Sequence, residues 1–207
     1  MAGGSRLLIG HGDDNSLHDW DLRTCRETRS WPGMLGLSTR AFSPDGNWCF
    51  TSTINPNASS TVSLINLVTG REMNLTGNSF VTASFSPDGK LFAAGGWGRF
   101  ARLWETATQR EVATFQGFLS SVWSVAFSPD GKRLATGSNG TEAIKLWDVE
   151  SHQELLTLEA QGSVFNSSAF SPDANVLGAK NWHDVLHLWR APSWEEIEAA
   201  EKEKRER

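Results

Sequence analysis

Apolar and polar residues alternate along most of the chain. In the stretch VWSVAF, the side chains of Trp123, Val125 and Phe127 alternate with those of Ser124 and Ala126. A period of two residues is typical of a β-strand. The apolar runs that follow, KRLATGS, AIKLWDV and ELLTLEA, are also short and are separated by turn-forming residues, among them NGT (Asn139–Thr141), which predicts a hairpin turn. The small residues of KRLATGS suit a crowded interior. The pattern predicts four antiparallel strands and no helix in this segment.

The sequence FSPDG, or FSPDA in its last copy, sets the length of a repeat. The copies begin at Phe42, Phe85, Phe127 and Phe170. Ser-Pro-Asp followed by Gly is typical of a type I turn, because proline presets φ at its second position. A fixed period between about 20 and 50 residues indicates a solenoid, a propeller or an array. Since one small sheet cannot cover both of its own faces, we expect an all-β fold, a partial β-propeller of four-stranded antiparallel blades.

A Trp-Asp pair or a variant of it closes the third strand of each unit. The copies are DWD (Asp19–Asp21), LIN (Leu64–Asn66), LWE (Leu103–Glu105), LWD (Leu146–Asp148) and LWR (Leu188–Arg190). With FSPDG upstream of it, this pattern resembles the WD-repeat, or β-transducin-type, family of β-propellers over most of the chain. The family's Gly-His pair is replaced by Gly117–Phe118 in one unit and by Ala160–Gln161 in the next. We therefore expect the blades to be held mainly by apolar packing and strand pairing.

The number of strands differs at the two ends of the chain. The first unit begins with RLLIGH, which matches a second strand, and the last unit has only three strands. We expect 18 strands in three complete and two partial blades. The blades are predicted at 1–33 (partial), 34–77, 78–117, 118–160 and 161–192 (partial). Because the resemblance implies a closed propeller, we expect the C-terminal portion of a larger, bacterial-type repeat protein. Its open blade edges would associate with missing blades or with a second copy.

The pattern changes after Pro192. In SWEEIEAAEKEKRER, Ser193 and Glu196 have the spacing of a capping box. Acidic residues are concentrated near the start of this segment and basic residues near its end, which favours the helix dipole. The sequence predicts a short, charged C-terminal α-helix over 193–207.

Composition narrows the classes of partner. The formal net charge is −5, and no basic patch indicates nucleic acid or an anionic membrane surface. No apolar run has the length of a membrane helix, and the start lacks a secretory apolar segment. The two cysteines, Cys25 and Cys49, have no spacing that suggests zinc or a redox pair. These features predict a cytoplasmic protein that binds neither nucleic acid nor membrane.

No group of residues in the sequence indicates catalysis. His183 and His187 would share one face of a strand, but no third ligand accompanies them, so we expect no metal site. The stretch GGWGR lacks the Lys-Ser/Thr pair and the following helix of a phosphate-binding loop. The sequence therefore predicts a protein that is not an enzyme and holds no cofactor.

The resemblance implies a protein-binding face. In the family, the loops between strands two and three and those leading into strand one gather at one end of the propeller. Trp and Arg are the residues that dominate interface hot spots. Here these loops contain Trp97, Arg99, Phe118, Asn181, Trp182 and His183, with Trp123 just inside a first strand. An alternative stays open, in which Trp97 and Trp182 fold over their own hairpins as local core.

Two functions follow as hypotheses. The first is a non-catalytic scaffold of WD repeats that binds one or more protein partners. The alternative is a regulatory or sensory propeller segment of an upstream enzyme such as a protein kinase.

Overall fold

The computed structural model describes residues 6–11, 16–32, 38–52, 62–75 and 80–191. Within these residues the chain forms five antiparallel sheets, each built from strands that follow one another in the sequence. The C-terminal helix expected over 193–207 lies outside the described residues.

The strands have the following bounds. Sheet 1 contains β1 (Arg6–His11), β2 (Ser16–Asp21) and β3 (Arg26–Trp31). Sheet 2 contains β4 (Ser38–Phe42), β5 (Trp48–Ser52), β6 (Val62–Asn66) and β7 (Glu72–Asn74). Sheet 3 contains β8 (Phe80–Phe85), β9 (Leu91–Gly96), β10 (Ala101–Glu105) and β11 (Glu111–Phe115). Sheet 4 contains β12 (Ser124–Phe127), β13 (Arg133–Gly137), β14 (Ile144–Asp148) and β15 (Glu154–Leu158). Sheet 5 contains β16 (Phe165–Phe170), β17 (Val176–Asn181) and β18 (Leu186–Arg190).

The expectation of an all-β fold with four-stranded antiparallel sheets is confirmed. The strands of each sheet fall inside one of the ranges expected for a repeat, although the repeat boundaries themselves stay predictions. Two local features differ from expectation. The segment Gly140–Glu142, expected as part of a simple hairpin turn, forms a single 3-10 turn. Trp123 lies one residue before β12 rather than inside it, although its backbone N–H still donates to the carbonyl of Gly137 at 2.8 Å.

Alternation along the third strand of a sheet sends neighbouring side chains to opposite faces. Leu103 packs with Leu134 and Trp147 of sheet 4, whereas the adjacent Trp104 packs with Phe50 of sheet 2. We call the face toward the next sheet in chain order the forward face, and the face toward the preceding sheet the backward face. Each of the four apolar clusters in the described residues lies between two consecutive sheets in this way.

The first strands of consecutive sheets lie side by side. Strand β8 contacts both β4 and β12, and β12 contacts β16, so the arrangement is propeller-like. The approach is close at Gly137, where a Cβ atom would lie 2.2 Å from Ser124 Oγ and 2.6 Å from the carbonyl oxygen of Phe165. The hydroxyl of Ser124 donates to that same carbonyl at 3.2 Å. Small residues in the second strands thus allow neighbouring sheets to meet, as their composition suggested.

The four Ser-Pro-Asp turns share one set of hydrogen bonds. The N–H of the fourth residue donates to the serine carbonyl at 2.8 to 2.9 Å, which closes the turn. The serine hydroxyl donates to the aspartate carboxylate at 2.5 to 2.7 Å. That hydroxyl also accepts the N–H of the residue that opens the next strand, at 2.9 Å. We call the end of the sheets where these turns lie the Ser-Pro-Asp end.

Candidate protein-interaction surface

The loops expected to bind a partner lie at the opposite end of the sheets. The turn Ser86–Gly89 precedes β9 and Trp97 follows it, so the strand separates the two. A strand of six residues spans roughly 20 Å. The hairpin β9–β10, the loop before β12 and the hairpin β17–β18 all open at the end away from the Ser-Pro-Asp turns.

Three tryptophans from three consecutive sheets form a continuous row at this end. The ring centroids of Trp97 and Trp123 are 4.5 Å apart, with an interplanar angle of 78°. Those of Trp123 and Trp182 are 5.6 Å apart. Trp97 and Trp182 are each 57 % exposed, and Trp123 is half-buried between them. These distances are in the range of favourable aromatic pairs. We call Trp97, Trp123 and Trp182 the tryptophan surface.

The backbone at each of these tryptophans is fixed by a neighbouring segment. The carbonyl of Trp97 accepts a hydrogen bond from the hydroxyl of Ser121 at 3.4 Å. The N–H of Trp182 donates to the carbonyl of Val164 at 3.0 Å. The rings therefore sit on ordered backbone, and binding a partner would require little further ordering.

A loop that carries an exposed leucine is held between two sheets. Nε of Arg99 donates to the carbonyl of Leu119 at 3.0 Å, and its Nη2 donates to the same oxygen. The N–H of Leu119 donates to Oε2 of Glu142 at 2.6 Å. Both backbone groups of Leu119 are thus satisfied, and its side chain is 65 % exposed. Arg99 serves to position this loop beside the tryptophan surface.

Glu142 links the loop to a buried cation. Its Oε1 lies 3.3 Å from Nζ of Lys145, which is also 3.0 Å from Oε2 of Glu154 and 3.0 Å from the hydroxyl of Thr157. Lys145 is buried, so these contacts replace the water that its charge would otherwise hold. Hydrogen bonds from Thr157 and Lys145 outweigh the opposing effect of burial and lower the pKa of the Glu154 carboxyl.

Asn181 and His183 shape the last hairpin. Asn181 is buried, and its Oδ1 accepts the N–H groups of His183 at 3.0 Å and Val185 at 3.1 Å. His183 is exposed, and its Nδ1 lies 3.1 Å from the hydroxyl of Ser163 in the preceding loop. Asn181 therefore fixes the turn that carries Trp182, and His183 adds an exposed polar group next to that residue.

Phe118 is part of the core. It is 5 % exposed, and its ring lies 5.5 Å from that of Trp147. The loop turns this side chain inward and turns the next one, Leu119, outward. Of the seven candidate residues, the structure brings Trp97, Trp123 and Trp182 together, places Arg99 and His183 beside them, and buries Phe118 and Asn181.

Sequence reasoning missed two residues of this end. The sequence does not indicate that Leu119 is exposed, because its neighbour Phe118 is the larger apolar residue and is therefore the one predicted to contact a partner. Glu142 lies just after the Asn139–Gly140 pair, and in the sequence it has no feature that distinguishes it from an ordinary turn residue. The Asn181 side chain could have been recognised, since an asparagine that begins a tight turn often accepts the N–H groups that follow it.

Other kinds of site have less support within the described residues. They contain no group of three or more His, Cys, Asp or Glu side chains arranged to hold a metal ion. His187 instead stacks on Trp189, with ring centroids 5.9 Å apart. A groove of about 380 Å³ at the Ser-Pro-Asp end is lined by Pro87, Pro129 and neighbouring turn residues.

Cys25 is exposed and Cys49 is buried, and within the described residues neither forms a disulfide. In the ranges that the structure describes, no helix combines the length and apolar character needed to cross a membrane.

These sheets define a class of protein, one built from repeated antiparallel sheets packed face to face. The family model for the WD domain, G-beta repeat, matches residues 71–105 and 109–148. The chain is also 52 % identical over 44 residues to an uncharacterized WD repeat-containing protein of Nostoc sp.. That similarity covers 21 % of this chain and 3 % of the Nostoc protein, so the chain spans a small part of that relative. These matches support a WD-repeat family, with residues 71–105 and 109–148 recognised as its repeats.

Proposed function

We propose that this chain is a non-catalytic scaffold that binds a protein partner through the tryptophan surface. WD repeats generally mediate protein–protein interaction, and the row of three tryptophan rings, joined by two ring contacts across three sheets, is the observation that supports this site. Exposed tryptophans held in place are the side chains that most often contribute large binding energies. Leu119, Arg99 and His183 would extend the same surface with one apolar and two polar groups.

The exposed area has the composition of an interface. Its centre is aromatic, and its edge carries a guanidinium, an imidazole and backbone groups, which suits a polar rim. The tryptophans contact one another across sheets and remain more than half exposed at both ends of the row, so they do not fold over their own hairpins alone. We propose a protein partner rather than nucleic acid or membrane, in a cytoplasmic setting with reduced thiols.

The regulatory or sensory alternative, with an enzyme such as a kinase upstream, gains no support from any described residue. It stays a hypothesis that is based on the sequence alone. Association of the chain through open blade edges is likewise a proposal.

The proposed site is tested by quantitative affinity capture from an extract of the source cells. The bait is the full chain, compared with the double variant Trp97→Ala plus Trp182→Ala. A matched control, Leu22→Ala plus Val68→Ala, removes two exposed apolar side chains from turns away from the tryptophan surface. We expect the purified partner to bind the tryptophan variant at least about a hundredfold more weakly, because each hot-spot residue contributes about 2 kcal/mol or more.

The control variant should bind like the unaltered chain. Equal binding by the tryptophan variant and the unaltered chain would contradict the site. Circular dichroism and thermal melting of all three proteins establish that the comparison is made between folded chains.

A further inference from the structure

The forward face of the last sheet repeats positions that are covered everywhere else. In sheets 2, 3 and 4 a cross-strand pair occupies this face: Phe50 with Leu64, Ala93 with Leu103, and Ala135 with Leu146. Each pair belongs to the apolar cluster shared with the following sheet. The corresponding pair in sheet 5 is Gly178 with Leu188.

Burial at these positions differs sharply between the sheets. Leu64 and Leu103 are fully buried, and Leu146 is partly buried against sheet 5. Leu188 is 65 % exposed, and Leu186, two residues earlier, is 61 % exposed. The residues that correspond to Leu186 are all buried: Val62, Ala101 and Ile144. Adjacent large apolar side chains at this level of exposure mark an interaction site.

The backward face of the first sheet shows the complementary half of the same junction. The backward pairs are Cys49 with Ile65, Phe92 with Trp104, Leu134 with Trp147, and Leu177 with Trp189. In sheet 1 the pair is Leu7 with Trp20. Leu7 is 45 % exposed, whereas its counterparts Cys49, Phe92, Leu134 and Leu177 are buried. Trp20 is half-buried, and Ile9 on the same face is exposed.

Charges at the two faces are complementary. Lys180 and Arg190 lie on the forward face of sheet 5, because they alternate with the inward-facing residues of β17 and β18. Glu27 pairs with Trp20 across β2 and β3 and thus lies on the backward face of sheet 1. Lys180 already pairs with Asp184 at 2.7 Å, and Glu27 lies 3.2 Å from Nδ1 of His18, so the charge pattern is compatible with the junction while the apolar pairs carry it.

We propose that a second copy of this chain covers the last sheet with its first sheet, in a head-to-tail junction. The occupant is another copy because the backward face of sheet 1 offers a Leu–Trp pair, the same pair with which sheets 4 and 5 cover the forward faces of the sheets before them. Such a junction is heterologous, so repeated use of it gives a closed ring or an open filament. It uses faces separate from the tryptophan surface and does not depend on the proposed partner.

The junction is tested with two charge variants of the full chain, Leu188→Glu and Leu7→Glu. Both positions are substantially exposed within one copy, so each variant should fold. In the junction each glutamate would be a buried charge without a partner, which we expect to weaken association by about a hundredfold or more. Val68→Glu, at an exposed turn position of sheet 2, is the matched control.

Sedimentation velocity over about a hundredfold range of protein concentration measures the result. We expect the unaltered chain and Val68→Glu to form species of two or more copies, and each face variant alone to be monomeric. An equimolar mixture of Leu188→Glu and Leu7→Glu should form a dimer and nothing larger. In that dimer the intact first sheet of one variant meets the intact last sheet of the other.

Two other outcomes overturn the proposal. A dimer of Leu7→Glu alone would indicate a symmetric contact between two last sheets. A monomeric unaltered chain would exclude the second copy altogether. In that case, slow amide exchange throughout β18 would assign the face to another segment of the same chain.

Discussion

The two ends of the sheets differ in what they repeat. At the Ser-Pro-Asp end, four turns share their first three residues and the same hydrogen bonds, with donor–acceptor distances that agree within a few tenths of an ångström. At the other end each hairpin is different. One carries Trp97 and Arg99, the next forms a 3-10 turn, and the last carries Trp182 and His183.

This difference separates scaffold from site. The turn residues that recur in sheets 2 to 5 satisfy backbone groups, as the Ser128 hydroxyl does when it donates to Asp130 and accepts the N–H of Arg133. The exposed rings of Trp97 and Trp182 occur once and contact Trp123 rather than the backbone, so they are available to a partner. The contrast predicts which substitutions affect stability and which affect binding.

The largest expected effect tests whether the end opposite the Ser-Pro-Asp turns also contributes to the stability of the fold. Phe118→Ala should lower the free energy of unfolding by about 3–5 kcal/mol, because it removes a buried ring. Leu119→Ala, its immediate neighbour, should change it by less than about 0.5 kcal/mol, because that side chain is exposed. Chemical denaturation of both variants measures the difference. Similar losses in the two would show that exposure does not separate scaffold from site here.

The second prediction, of intermediate size, concerns the fourth position of the repeated turns, where three turns have glycine and one has alanine. Gly46, Gly89 and Gly131 have φ between 68° and 72°, and Ala174 has φ 60° at the same position. This left-handed conformation costs a residue with a Cβ atom about 1–2 kcal/mol, less the greater entropy that glycine loses on folding. Gly131→Ala should therefore destabilise the protein by about 1 kcal/mol, and Ala174→Gly should stabilise it by up to that amount.

Thermal and chemical unfolding of the two variants provide the check. A Cβ atom at position 131 would lie 3.5 Å from Pro87, an ordinary contact, so the change probes conformation rather than a clash. Changes of the same sign in both variants would contradict the view that the four turns are equivalent.

The smallest effect concerns pH. Hydrogen bonds from the serine hydroxyls lower the pKa of Asp88 and Asp130 below the ordinary aspartate value. A carboxyl whose pKa is lower in the folded state stabilises the protein above its unfolded pKa, about 3.9. This contribution disappears as the pH falls through the folded pKa. Asp130→Asn should be less stable than the unaltered chain at neutral pH, with the gap narrowing below about pH 4.

Unfolding free energies measured from neutral to acidic pH test this prediction. Glu150→Gln, at an exposed carboxyl in the β14–β15 turn, is the control for net charge. Parallel pH curves for Asp130→Asn and the unaltered chain would show that the turn carboxylate does not contribute.

Much of the fold could be predicted from sequence because its signals are local. The alternation of Val125 and Phe127 and the turn at Pro129 each need only a few neighbouring residues. The same local signals predicted that the last sheet has three strands. The Asn139–Gly140 pair was harder, because the chain continues into a 3-10 turn whose Glu142 is fixed by Lys145.

The candidate site was less predictable because it depends on contacts between sheets. Trp97, Trp123 and Trp182 come from three hairpins or loops that are distant in sequence, and only packing of the sheets brings their rings together. Phe118 and Leu119 show the same limit at the smallest scale. Two adjacent apolar residues in a loop carry no signal for which one turns inward.

The position of the cores has a consequence for how such a chain can lengthen in evolution. Every apolar cluster in the described residues is formed by residues of two consecutive sheets. No sheet therefore supplies by itself the core that stabilises it. A duplication that copies one whole sheet also copies one face of each kind, and both fit their new neighbours at once. Leu146 and Trp147 are adjacent in sequence yet serve different cores, so the unit that is inherited intact is the junction as much as the repeat.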